Sequence, residues 1–110
     1  MASSLNGTTI TLTKGDTFKS YIRLFDKEDN EYIPVAGDKV RFAAKKKYKD
    51  PECVIFINVP IETMLLHIPP VATKDLAVST YCYDIQLTYA NGDIDTFIDR
   101  AQLILTEEVE

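Results

Sequence analysis

One histidine, two cysteines and several closely spaced carboxylates are the residues of this 110-residue chain that could carry chemistry. His67 is the sole candidate for a general base or an imidazole ligand. It sits in Thr63-Met64-Leu65-Leu66-His67-Ile68, with parity opposite to Met64, Leu66 and Ile68. No partner in the sequence marks it as a ligand or a base, so a surface or hydrogen-bonded histidine is expected. Cys53 and Cys82 form no CxxC motif and allow one disulfide at most; two buried free thiols are expected. Asp26, Glu28 and Asn30 have the early spacing of a calcium loop. However, Glu31 stands where that loop needs glycine, and Gly37 where it needs the twelfth-position glutamate. Asn91, Asp93 and Asp95 alternate in the same way and lack the same completing residues. A turn and an outward strand face account for them.

The sequence has no GxSxG, HExxH, P-loop or GxGxxG. The expectation is therefore no catalytic residue, no cofactor and no metal. Composition alone leaves a two-carboxylate glycosidase open, but so small a chain offers few loops to build a cleft around the pair. The formal net charge is −5. An acidic surface repels phosphate backbones and anionic lipid, which argues against nucleic acid and membrane as partners. The run Lys45-Lys46-Lys47-Tyr48-Lys49 is short and reads as a solvated loop. No apolar run reaches the roughly 18–20 residues of a membrane span. Met1–Gly7 lacks a basic n-region and an apolar h-region, so no signal peptide is expected, and the protein should remain in the compartment where it is made.

The elements that must position these groups are strands. Tyr81, Tyr83, Ile85, Leu87 and Tyr89 alternate with Cys82, Asp84, Gln86 and Thr88, the period of a half-buried strand. Asn91-Gly92 predicts a two-residue type I′ hairpin turn, which pairs Tyr89 with Ile94, Leu87 with Thr96 and Ile85 with Ile98. That register sets Asp84 against Asp99, a like-charge conflict that fraying or Arg100 would have to relieve. Upstream, strands are predicted over Thr8–Thr13, Phe18–Phe25, Lys39–Lys45, a buried Cys53–Val59, and Thr63–Ile68. Val71–Ala77 can make one helical turn with Thr73 as its N-cap, and Ala101–Thr106 closes the chain. The pattern predicts an all-β chain, an immunoglobulin-like β-sandwich of about seven or eight short antiparallel strands with at most one short helical turn. Residues 1–110 make one domain, with 1–7 and 107–110 flexible. Asp75-Leu76-Ala77 before Tyr81 has the look of a tyrosine corner, while the absence of Trp argues against an antibody-type domain.

Parity also predicts a contact surface. In the expected register Phe97 points away from the core with Gln86, Thr88 and Asp95, and Ile104 points opposite Leu103 and Leu105. An outward Phe97 and Ile104 rimmed by Gln86, Thr88 and Asp95 would form an apolar patch for another protein or for a second copy of the chain. A covering loop, Lys45–Glu52, would instead make these residues core.

Three stretches resemble small β-sandwich domains of tailed-phage structural proteins. They are Gly15-Asp16-Thr17, Pro34-Val35-Ala36-Gly37-Asp38-Lys39-Val40-Arg41-Phe42, and Tyr81-x-Tyr83-Asp84-Ile85-Gln86-Leu87 followed by Asn91-Gly92-Asp93 and Thr96-Phe97-Ile98. Over residues 8–109 the chain resembles the N-terminal domain of the phage baseplate upper protein and its prophage relatives. The resemblance implies a non-enzymatic assembly role in a phage or prophage tail or baseplate, with other phage structural proteins or a second copy as partners. It also implies residence in the bacterial host cytoplasm during assembly and then in the virion. The alternative is a carbohydrate- or surface-binding module, with Tyr21, Tyr32, Tyr48 and Tyr89 as stacking platforms.

Overall fold

A computed structural model describes residues 4–6, 9–26 and 28–107, with side chains from residue 9 onward. The described residues are all-β with one four-residue helix. In order, the strands are β1 (Ser4–Asn6), β2 (Thr9–Thr13), β3 (Phe18–Tyr21), β4 (Leu24–Phe25), β5 (Glu31–Tyr32), β6 (Lys39–Lys45), β7 (Ile55–Val59) and β8 (Leu65–Ile68). The helical turn α1 (Pro70–Thr73), β9 (Ser79–Thr88) and β10 (Ile94–Thr106) follow. Six strands form one sheet in the order β1-β2-β10-β9-β6-β7; β3–β8 and β4–β5 are separate two-stranded pieces. The expected all-antiparallel arrangement needs one correction: β2 and β10 run parallel, with Leu103 beside Ile10 and Leu105 beside Leu12.

The core forms because the alternation is real. Tyr81, Tyr83, Ile85 and Leu87 of β9 are all buried, while Cys82, Asp84, Gln86 and Thr88 are half-buried on the other face. Val40, Phe42 and Ala44 of β6 and Leu103 and Leu105 of β10 continue the apolar face. Phe18, Ile22, Leu24, Leu66 and Ile68, from the two smaller pieces, complete the same cluster. Phe42 and Tyr83 meet at 5.0 Å between ring centroids. Tyr81 donates its hydroxyl proton to the Ala77 carbonyl at 2.6 Å, a hydrogen bond back to the chain four residues upstream. That is the contact expected of a tyrosine corner.

The hairpin register differs from expectation. The turn closes through Gly92 N–H to Tyr89 O (2.9 Å) and Tyr89 N–H to Asp93 O (2.8 Å), and only Gly92 takes a positive φ (+96°). This is a three-residue loop with a glycine bulge rather than a type I′ turn. Ile94 therefore faces Thr88, Asp95 faces Leu87 and Thr96 faces Gln86. A bulge at Phe97 restores the expected Ile98–Ile85 pair, and a second irregularity at Asp99-Arg100 leads to Ala101–Tyr83. The second one resolves the Asp84–Asp99 conflict. Arg100, at φ 55°, donates its backbone N–H to Asp84 Oδ1 at 2.9 Å.

Other boundaries shift for local reasons. The long strand expected over Phe18–Phe25 breaks at Ile22, whose N–H leaves the ladder for the Met64 carbonyl (2.8 Å). The helical turn starts early because Pro70 occupies its first turn, where a missing N–H costs nothing. Thr73 ends that turn instead of capping it, and its buried hydroxyl accepts the Gly15 N–H at 3.0 Å. The strand expected to be buried over Cys53–Val59 is β7 at the sheet edge, with Cys53, Val54 and Phe56 exposed. Cys53 is thus free but not buried, and Cys82 is free and half-buried. The lead-in expected to be flexible contains β1, paired with β2; residues 1–3, 7–8 and 108–110 lie outside the described residues. Among the described residues, no helix is long and apolar enough to cross a membrane.

Candidate functional site

The carboxylates with chemical spacing are bound up in the backbone. Asp26 Oδ1 accepts the N–H groups of Glu28 and Asn30, both at 2.9 Å. These bonds, the one from Asn30 first, hold the Asp26 carboxyl below its ordinary pKa. Asn91 Oδ1 accepts the Asp93 N–H at 2.9 Å. Asp95 Oδ2 accepts the Tyr89 hydroxyl at 2.8 Å, which with burial pushes that phenol up to about 12. Among the described residues, no three His, Cys, Asp or Glu side chains gather as a metal site. His67 is exposed, opposite Lys19 across the β3–β8 ladder.

Among the described residues, Asp38 is the one buried carboxylate. Gly37, at φ +96°, forms the turn that closes through Asp38 N–H to Val35 O (3.0 Å). The Asp38 carboxylate then accepts the Tyr32 hydroxyl at 2.6 Å and the Val35 N–H at 3.0 Å. These bonds, led by the one from Tyr32, lower its pKa. Asp38 thereby ties the 32–38 loop together, and Gly37 lies close against Ala90 at the hairpin tip. Tyr32 is held between two rings: edge-on to Tyr89 at 5.6 Å and tilted against Phe97 at 6.1 Å.

This arrangement divides the expected contact patch. At the bulge, Phe97 and Ile98 both pack against the core, and Phe97 is half-buried against Tyr32. Asp95 sits on the Leu87 side, bonded to Tyr89. Gln86 and Thr88 lie on the opposite face, where the Arg41 guanidinium grips Gln86 Oε1 (Nε at 2.9 Å, with a second bond from Nη2). Ile104 is half-buried on that same face, between Thr11 and Thr80. In the Lys45–Glu52 loop, the Tyr48 ring lies against the Arg100 guanidinium, 4.1 Å from its centroid.

Exposed apolar groups stand on and beside the short strands β3, β4 and β5. On β3 and β4 the inward Phe18, Ile22 and Leu24 leave Lys19, Tyr21, Arg23 and Phe25 pointing out. Tyr21 and Ile33 are each 70% exposed and Phe25 43%. Arg23 makes a paired contact with Glu31 (3.1 and 3.0 Å) and lies 5.1 Å from the Phe25 ring centroid. Glu31 falls and Arg23 rises in pKa through that pair. Tyr21, Arg23, Ile33 and Met64 line a hollow of about 240 Å³. Phe25, Asp26, Asp95 and Phe97 line a larger one of about 510 Å³. Reasoning from the sequence missed this surface. The signal was present: Tyr21 shares the parity of Lys19 and Arg23, and Ile33 precedes a proline that bars it from a ladder.

Compared with known protein families, with curated proteins and with solved structures, the chain matches none.

Proposed function

We propose that this chain is a non-enzymatic assembly module of a phage or prophage tail or baseplate, docking another structural protein through the face that carries Tyr21, Arg23, Phe25 and Ile33. The observation that supports it is the exposure of three large apolar side chains around one ion pair, Arg23–Glu31. Contiguous apolar groups rimmed by polar ones mark protein contacts, and Tyr and Arg are the residues that most often dominate such contacts. An immunoglobulin-like sandwich is part of the same reading. Its support is the Tyr81–Ala77 hydrogen bond and the core shared by the six-stranded sheet and the two smaller pieces. The glycan-binding alternative draws less support. The Tyr48 ring is taken by Arg100, and Tyr32 and Tyr89 pack on each other rather than presenting one platform with Tyr21.

The test is binding of the purified chain to each tail and baseplate protein encoded beside it. One partner should bind, and a Tyr21→Ser, Ile33→Ser variant should lose at least about tenfold in affinity, about 1.4 kcal/mol, at unchanged melting temperature. Robust hydrolase turnover by the pure chain, a glycan ligand, or equal binding by variant and wild type would overturn the reading.

A further inference from the structure

The outer edge of β7 is built without the devices that keep sheet edges apart. Edge strands of soluble proteins are blunted by charge, proline, bulges or cover, because their free N–H and C=O groups template another strand. Ile55-Phe56-Ile57-Asn58-Val59 has no charge and no proline, and it pairs with β6 residue for residue without a register shift. Among the described residues its other side has no strand, since β7 ends the six-stranded order. Phe56, beside Ala43 on the outer face, is 53% exposed, while Ile55 and Val59 are buried in the core. The chain as a whole carries −5, so two copies repel over most of their surfaces. The uncharged β7 edge is where that repulsion is weakest.

We infer that β7 pairs with β7 of a second copy of this chain, antiparallel about a two-fold axis, and joins the two six-stranded sheets into one. Self-pairing is isologous, so a single strand supplies both sides of the contact. With Ile57 on the axis, Ile55 of one copy meets Val59 of the other, and both keep their inward parity. Phe56 then lies beside the second copy's Asn58 on the outer face. A slip of one residue would reverse every side chain and expose the apolar set, which fixes the register to steps of two. This surface is separate from the Tyr21–Ile33 face and leaves it free for another partner.

The experiment is sedimentation of the intact chain from ~10 μM to ~1 mM, with amide hydrogen exchange at both ends of that range. Wild type should dimerise, and the Ile55–Val59 amides should become protected as the dimer fills. Phe56→Lys with Asn58→Lys places like charges opposite one another across the pair. Both side chains point outward, so the variant should keep its melting temperature while its dissociation constant rises at least about tenfold. Should that variant fail to fold, the exchange pattern of the wild type still decides. Three results overturn the inference: a wild type monomeric throughout, a dimer whose β7 amides stay unprotected, or protection of β7 only when another protein is added. The first leaves the docking face of the proposed function standing, because that face is tested with a different partner and different residues.

Discussion

Adding one methyl group at Gly37 tests how the 32–38 loop is held. Gly37 sits at φ +96°, and a Cβ built there would lie 2.8 Å from Ala90 Cβ. Two costs follow. A left-handed backbone costs an L-residue about 1–2 kcal/mol. A contact well inside van der Waals range, against an atom that no rotamer change can move, adds about 1–3 kcal/mol of overpacking. Gly37→Ala should therefore destabilise by about 2–5 kcal/mol. Gly92 separates the two costs. It has the same φ of +96° but nothing within 4 Å of its Cβ position, so Gly92→Ala should show only the backbone cost, about 1–2 kcal/mol. Ala90→Gly removes the obstructing methyl. In that background Gly37→Ala should fall back to the Gly92→Ala cost, giving a coupling energy above ~1 kcal/mol in the double-mutant cycle. Urea unfolding, read as midpoint and slope, measures all four variants. Equal losses at Gly37 and Gly92, or a coupling energy under ~0.5 kcal/mol, would refute the claim that the loop rests on the hairpin tip.

Neighbouring residues on β9 should respond very differently to the same substitution. Leu87→Asp buries a charge in place of a fully buried side chain and should cost above ~3 kcal/mol, whereas Thr88→Asp, half-buried and opposite Lys39, should stay within about 1 kcal/mol in the same urea assay. Stability should fall at both ends of the pH scale. Asp38 has a lowered pKa when folded, so its contribution is present above the unfolded value of about 3.9 and is lost as pH falls through the folded value; Asp38→Asn should flatten the acid limb of a melting-temperature profile. Tyr83, raised to about 12 by burial, and Tyr89, raised to about 12 chiefly by Asp95, contribute stability that is present below about pH 10 and lost as pH rises toward 12. Phenolate absorbance should show late-titrating tyrosines, Tyr83 and Tyr89 among them, and Asp95→Asn should bring Tyr89 down.

What was legible in the sequence depended on how local the cause was. The β9 face could be read because alternation is a property of a single strand, and β9 has neighbours on both sides to bury it. The parallel β2–β10 pair could not, because nothing in Thr9–Thr13 encodes a partner almost the whole chain away. The Asn91-Gly92 signal correctly placed the turn but not its type. Asn91 uses its side chain to accept the Asp93 N–H while keeping a negative φ, so glycine alone supplies the left-handed residue. That single choice moved Ile94 outward. The bulge that repaired the register then placed Phe97 and Ile98 against the core together, which strict alternation forbids. Two successive apolar residues in an alternating strand were the available sign of it. Asp38 follows a glycine in a turn; only the fold shows two donors converging on it.

The position of the exposed apolar groups follows from the unequal sizes of the six-stranded sheet and the two smaller pieces. β9 and β10 run for ten and thirteen residues, whereas β3 has four and β4 and β5 have two each. So few residues must still cover the inner face of a six-stranded sheet, so every inward position is committed: Phe18, Ile22 and Leu24 are all buried. The outward positions then carry little structural demand. In a layer selected only for solubility they would be small or charged, as Lys19 and Arg23 are. Tyr21, Phe25 and Ile33 are not needed for the core and leave apolar surface in water. The docking partner proposed above would cover them. The Asp38 anchor fits this reading, since it fixes the loop that carries Ile33 before any partner arrives. Loosening that anchor with Gly37→Ala should therefore weaken docking even at temperatures where the chain is still fully folded. A docking affinity unchanged by Gly37→Ala would separate the loop from the contact.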